Sequence, residues 1–139
     1  MGGPGSEHEV SMATGQAVLN ALQSEGFDAS ELVVDSHEVL TAEGVGLVFN
    51  TIHGTFGEDG DLQKQLEAKG LAYTGAGSEA SLLAFDKVAS KKRFIDAGVP
   101  TPASETVDCS NGVQMPQMPL PYVVKPPREG SSVGVHIVK

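Results

Sequence analysis

Cysteine is almost absent from this chain. Cys109 stands alone, which excludes an internal disulfide and any cysteine-based zinc site, and it reads as a plain loop or core thiol. Basic residues are missing from the first part: residues 1–63 carry eleven acids and no Lys or Arg, whereas residues 64–139 carry nine bases against seven acids. With a net charge of -9 and no dense basic cluster, the chain is poorly suited to general nucleic-acid binding, which depends on neutralising many phosphates. A small anionic ligand near a few lysines of the second half fits the charge better. No apolar run approaches the roughly 20 residues of a membrane span. The first 25 residues show neither the basic n-region nor the apolar h-region of a signal peptide. These absences exclude a membrane partner and leave a cytoplasmic location as the default.

What is present is enough for a folded α/β protein. The 139 residues are near the usual size of one domain, and a hydrophobic content of 40% supports a core. Ser6-Glu7-His8-Glu9 is a capping-box pattern, and Val10, Ala13, Ala17, Val18, Ala21 and Leu22 then share a helical face up to Gly26. Strands are expected at Glu31 to Asp35, Gly46 to Asn50 and Leu71 to Tyr73. Helices are expected at Asp61 to Lys69, Ser78 to Ala84 and Asp86 to Ala97, each with its own start or stop signal. Such alternation predicts an open, mostly parallel sheet.

From Pro100 the texture changes, with seven of the eight prolines between Pro100 and Pro127. A boundary near residues 85–103 is expected, dividing the chain into an α/β domain at 1–85 and the start of a second domain at 86–139. Short strands near Ser104 to Val107, Tyr122 to Lys125 and Val133 to Val138 suggest that the second begins as a small antiparallel unit, its edges in need of partners.

Four constellations carry chemistry. Gly2-Gly3-Pro4-Gly5 turns into a helix start, where Glu7 and Glu9 would repel a pyrophosphate and Glu7 would attract an ammonium. The bland alternative is glycines for the turn and acids that complement the helix dipole. Asn50 to Gly60 leaves the end of a strand with three glycines, and His53 is placed to touch a ligand. Its acids Glu58, Asp59 and Asp61 match no calcium loop and suit capping of the next helix, so no metal site is assigned. Asp86-Lys87 opens a helix with a cation where the dipole disfavours one, which suggests a ligand-facing Lys87, although solvated helix faces also look like this. Last, Lys125-Pro126-Pro127-Arg128-Glu129-Gly130-Ser131-Ser132-Val133-Gly134 places a lysine and then hydroxyls and backbone N–H groups between two apolar runs. Such a loop cradles phosphate, the alternative being a long hairpin turn.

In this order the segments GGPGSEHEVS (2–11), FNTIHGTFGEDGDLQ (49–63), YTGAGSEASLLAFDKVASK (73–91), GVPTP (98–102) and VVKPPREGSSVGV (123–135) resemble the D-alanine–D-alanine ligases of the ATP-grasp superfamily. The likeness covers nearly the whole chain but only the first half or less of a family member. It implies a pre-ATP-grasp, Rossmann-like domain followed by a truncated ATP-grasp domain. It also implies an ATP-dependent activity that phosphorylates one D-alanine and joins it to a second, for peptidoglycan synthesis and cell shape. By the same resemblance Glu7 binds the first D-alanine's ammonium and Ser131 shares its network, both as catalytic residues. His53 lies beside that substrate, Lys87 and Lys125 hold ATP phosphates, and Ser131 and Ser132 belong to the loop that closes over them. ATP and two magnesium ions are the implied cofactors, the metal ligands falling after Lys139, and the complete enzyme is expected to be a homodimer. Three departures stand out: the apolar strand that usually precedes the glycines is expected to be missing from the 1–85 domain, Gly5 occupies a position where serine is common, and Pro127 replaces a smaller residue; as a fragment the chain is expected to be inactive alone. The competing reading is a non-catalytic small-molecule binding or interaction domain on the same fold.

Overall fold

The computed structural model describes all 139 residues, and the chain falls into two compact units, Met1–Phe85 and Asp86–Lys139. The first contains α1 (His8–Ser24), β1 (Leu47–Val48), α2 (Asp61–Ala68), β2 (Ala72–Tyr73) and α3 (Ser78–Phe85). The second contains α4 (Lys87–Asp96), β3 (Tyr122–Val124) and β4 (His136–Val138). The architecture is α/β, with less sheet than the apolar runs suggest. β1 and β2 pair in parallel, Leu47 opposite Ala72 and Val48 opposite Tyr73. The expected strand at Glu31 to Asp35 is reduced to one parallel bridge between Gly2 and Val34. It is held by Val34 N–H to the Met1 carbonyl (3.0 Å) and Gly3 N–H to the Val34 carbonyl (2.6 Å).

Six apolar side chains make the core of the first unit: Val34, Val39, Ile52, Phe56, Leu62 and Leu66. α2 reaches it through Leu62 and Leu66, one turn apart, and ends where Gly70 adopts a positive φ of 67° that a side chain would resist. α1 docks differently from the expected face. Its buried residues are Ser11 and Gly15, while Val10 is exposed. The reason is close approach: a Cβ on Gly15 would lie 2.3 Å from Met1 Cβ and 2.9 Å from Thr51 Oγ1, so small residues form the contact. The capping box does not form either. The helix begins one residue late, with Glu7 at the N-cap and no side-chain cap hydrogen bond.

In the second unit β3 and β4 form an antiparallel pair, with Tyr122 opposite Val138 and Val124 opposite His136. No strand forms at 104–107, and no residue of 86–139 is buried. Val123, Val124 and Ile137 are exposed, as expected of a two-stranded ribbon without a third layer. Asp86 caps α4 through its side chain, accepting from Val88 and Ala89 N–H groups.

Candidate functional site

The first unit brings two of the sequence-selected residues together. Glu7 sits at the N-cap of α1 without a side-chain cap hydrogen bond, and its carboxylate lies over Gly54, where an added Cβ would be 2.7 Å from Oε1. Gly54 has a φ of 67°, so a glycine is favoured there twice over. The next residue back is His53. Its Nε2 lies 3.0 Å from Thr14 Oγ1, and its Nδ1 lies 3.5 Å from Glu58 Oε1. Ser11 joins the two candidates: its hydroxyl accepts the His53 backbone N–H (2.9 Å) and donates to the Glu7 carbonyl (3.0 Å). Ser11 is fully buried, whereas Glu7 and His53 are half-buried. The Glu7 carboxylate thus lies over Gly54, the residue after His53, while the His53 imidazole is engaged by Thr14 and Glu58.

The loop beneath them is tightly determined. Asn50 accepts the Ile52 N–H at 2.9 Å and donates to the Gly57 carbonyl at 2.9 Å, which also receives Gln63 Nε2 at 2.7 Å. Phe56 is fully buried at a φ of 75°, an unfavourable conformation for a bulky residue. Asp59 Oδ2 holds its N–H at 2.8 Å, and His37 packs edge-on against its ring. Strain of this kind persists where surrounding structure over-determines it, and it concentrates at ligand sites. Asp59 also accepts the Asp61 N–H, so it serves the start of α2. No group of three His, Cys, Asp or Glu residues converges to hold a metal.

In the second unit Lys87 and the loop after β3 meet. The Lys87 N–H donates to the Pro127 carbonyl (3.0 Å), and its Nζ donates to the Glu129 carbonyl (2.5 Å). Arg128 Nε donates to Asp86 Oδ2 at 2.9 Å. Backbone hydrogen bonds and the Asp86 side chain's pairing with Arg128 hold the Asp86 carboxyl below the usual carboxylate range, the largest influence being the Ala89 N–H. Ser131 and Ser132 take left-handed conformations (φ 46° and 63°) and are exposed, with Val133 N–H closing the turn on the Gly130 carbonyl at 2.9 Å. Lys125 follows β3 directly, and its exposed side chain makes no hydrogen bond or ion pair. Lys87 is therefore built into the loop's base, while Lys125, the loop's first residue, makes no such bond.

Sequence reasoning singled out neither Ser11 nor Thr14, because a serine and a threonine inside a helix carry no motif. Arg128 carries no signal of its own in a loop whose lysine and serines point to phosphate. A cavity of about 590 Å3 lies elsewhere in the first unit: it is a mostly apolar cleft beside Val18, Leu22, Val34 and Phe49, and neither Glu7 nor His53 lines it.

No protein-family model matches the chain. A D-alanine–D-alanine ligase of Caulobacter sp. (strain K31) is 49% identical over 140 residues, covering 99% of this chain and 44% of that protein. D-alanine–D-alanine ligase B of Chromobacterium violaceum is 47% identical, covering 100% of this chain and 47% of that protein. Among solved structures, the D-alanine–D-alanine ligase from Bacillus anthracis complexed with ATP matches with a TM-score of 0.86 at 29% identity, over 99% of this chain and 48% of that one. The chain corresponds, end to end, to the N-terminal portion of D-alanine–D-alanine ligases. It spans about half the length of the curated relatives it matches. The match runs through both units, so the Glu7–His53 region and the Lys87 loop both lie within the part shared with these ligases.

Proposed function

We propose that this chain forms the D-alanine-binding unit (1–85) and the beginning of the ATP-grasp unit (86–139) of an ATP-dependent D-alanine–D-alanine ligase. The observation that carries the reading is the Glu7 carboxylate lying over Gly54, next to His53 in the chain, with Ser11 bonded to the backbones of both Glu7 and His53. The carboxylate of one D-alanine attacks the γ-phosphorus of ATP, ADP leaves, and an acyl phosphate forms. The amine of the second D-alanine then attacks that carbonyl carbon, phosphate leaves and a proton is lost, giving the dipeptide for peptidoglycan.

Glu7 pairs with the first D-alanine's ammonium, and His53 borders the same substrate. Ser131 and Ser132 belong to the loop over the phosphates. Lys87 and Lys125 hold ATP phosphates, where fixed positive charge stabilises a loose phosphoryl-transfer transition state. Covering the site keeps water from the acyl phosphate. Magnesium would neutralise phosphate charge in such chemistry; no group of three His, Cys, Asp or Glu residues converges in this chain. On the same reading the short parallel pairs belong to an open, mostly parallel sheet, and the complete enzyme is a cytoplasmic homodimer.

The test is a chimera in which this chain replaces the matching portion of the Bacillus anthracis ligase. It should release phosphate from ATP only when D-alanine is present, and Glu7→Gln should raise the KM for the first D-alanine more than that for ATP. A folded chimera whose phosphate release ignores D-alanine would sink the proposal.

A further inference from the structure

The first turn of α4 and the loop after β3 share one carboxylate. Asp86 Oδ1 accepts Val88 N–H at 2.9 Å and Ala89 N–H at 3.0 Å, an N-cap that Asn or Ser would also provide. Its second oxygen, Oδ2, accepts Arg128 Nε at 2.9 Å, and that contact gains strength from a full negative charge. Lys87 adds two more bonds, from its N–H to Pro127 and from its Nζ to Glu129. Two consecutive residues at the start of α4 therefore grip three consecutive residues of the loop. The Asp86 side chain is 17% exposed and that of Arg128 68%, so the carboxylate is the fixed partner and the guanidinium the one drawn in.

What the grip holds is strained. Ser131 and Ser132 both occupy the left-handed region, and a Cβ on Gly134 (φ 67°) would lie 2.6 Å from Pro126 Cγ. Serines in that region need neighbouring structure to keep them there. We propose that Asp86 is a positioning residue: through Arg128 it clamps the base of the loop to α4, so that Lys87 and the Ser131–Ser132 turn are set as one unit before any ligand arrives. This deepens the phosphate reading of the loop and rests on it for the ligand's identity, while the clamp itself is measurable without ligand.

The test is residue-resolved amide hydrogen exchange on the 139-residue chain, reading Val133 and Val135, whose N–H groups close the turn on Gly130 and Ser132. Arg128→Gln should speed exchange at both by about two- to fivefold, the range of a partly exposed ion pair, and leave Ser90 in α4 unchanged. Asp86→Asn keeps the cap and should match Arg128→Gln. The double variant should exchange no faster than either single one, and Arg128→Lys should restore part of the protection. Asp86→Ala should loosen the loop and the first turn of α4 together. Wild-type exchange at Val133 and Val135 in Arg128→Gln, or fully additive effects in the double variant, would overturn the clamp. Because Arg128 is largely exposed, that variant stays folded even where Asp86→Ala does not. Adding ATP and magnesium to the chimeric ligase, with and without Arg128→Gln, separates the two ideas: if Arg128→Gln behaves as stated but ATP slows exchange nowhere in the loop of the chimera, the clamp stands and the phosphate reading falls.

Discussion

Glu7 lies over Gly54, with Oε1 2.7 Å from where a Cβ on residue 54 would be. A helix N-cap ordinarily bends its side chain back onto the helix, yet Glu7 makes no such bond, and its carboxylate lies over the loop that carries His53. The loop's glycine and the helix's acid are thus matched to each other across a long stretch of sequence.

Gly54→Ala tests that match. The left-handed φ of 67° costs a non-glycine residue about 1–2 kcal/mol, but the steric conflict is with the far end of a flexible side chain, which can move aside. The expected result is a folded protein, destabilised by about 1–2 kcal/mol in urea titration, with Glu7 displaced. In the chimeric ligase the KM for the first D-alanine should then rise by more than the stability loss accounts for. An unchanged KM would show that Glu7's position over Gly54 is irrelevant to the substrate.

Gly57→Ala should behave quite differently. Its Cβ would fall 2.1 Å from the Ile52 carbonyl oxygen, a backbone atom that cannot swing away, beside the strained and buried Phe56. A loss on the order of 4 kcal/mol or failure to fold is expected, measured by urea unfolding. Gly70→Ala is the control: its φ is also 67°, but nothing lies within 4 Å of the added Cβ, so only the same backbone cost of about 1–2 kcal/mol should appear. Equal losses at 57 and 70 would contradict the steric account.

Much of this arrangement was legible in the sequence, and the reasons differ from element to element. α2 and α4 have local start signals and a glycine just past their ends, so their expected spans, Asp61 to Lys69 and Asp86 to Ala97, lie within a residue of those observed. The ordered motifs led to the ligase resemblance for the same reason: glycines, acids and lysines at fixed spacing are local. Sheet pairing is not local. Residues 31–35 look like a strand, but only Val34 finds a partner, in Gly2. The inner face of α1 was hidden because apolar periodicity favoured Val10, Ala13 and Ala17, whereas close approach to Met1 and Thr51 selected Ser11 and Gly15. Ser11's role at His53 and Glu7 follows from that contact, which no helical pattern announces.

Ser11→Ala should therefore reach both candidate residues at once. The hydroxyl is completely buried, and its loss leaves the His53 N–H without its acceptor, a cost of about 1–3 kcal/mol. The expected signature is that loss in urea titration together with faster amide exchange at His53. Unaltered exchange at His53 would mean that the loop is held by the Asn50 and Asp59 bonds alone.

Glu67 gathers three hydrogen bonds at the turn into α3: Tyr73 hydroxyl to Oε1 (2.5 Å), Ser78 N–H to Oε1 (2.9 Å) and Ser78 hydroxyl to Oε2 (2.6 Å). The Ser78 hydroxyl, then the Tyr73 hydroxyl and the Ser78 N–H, hold the Glu67 carboxyl below the usual carboxylate range, and the Glu67 hydrogen bond in turn pushes the Tyr73 phenol up. The signs define a window. A depressed carboxyl contributes stability above its unfolded pKa and loses it as pH falls through the folded value; a raised phenol contributes below its unfolded pKa and loses it as pH rises through the folded value. The contact should thus be at full strength between the two ranges and absent at both extremes. Tyrosine absorbance reads the upper edge directly, since Tyr73 and Tyr122 are the only tyrosines. In the native chain one of the two should ionise late, and in Glu67→Gln that late step should move down to lower pH, while in Tyr122→Phe it should remain. A late step that survives Glu67→Gln would assign it to some other cause.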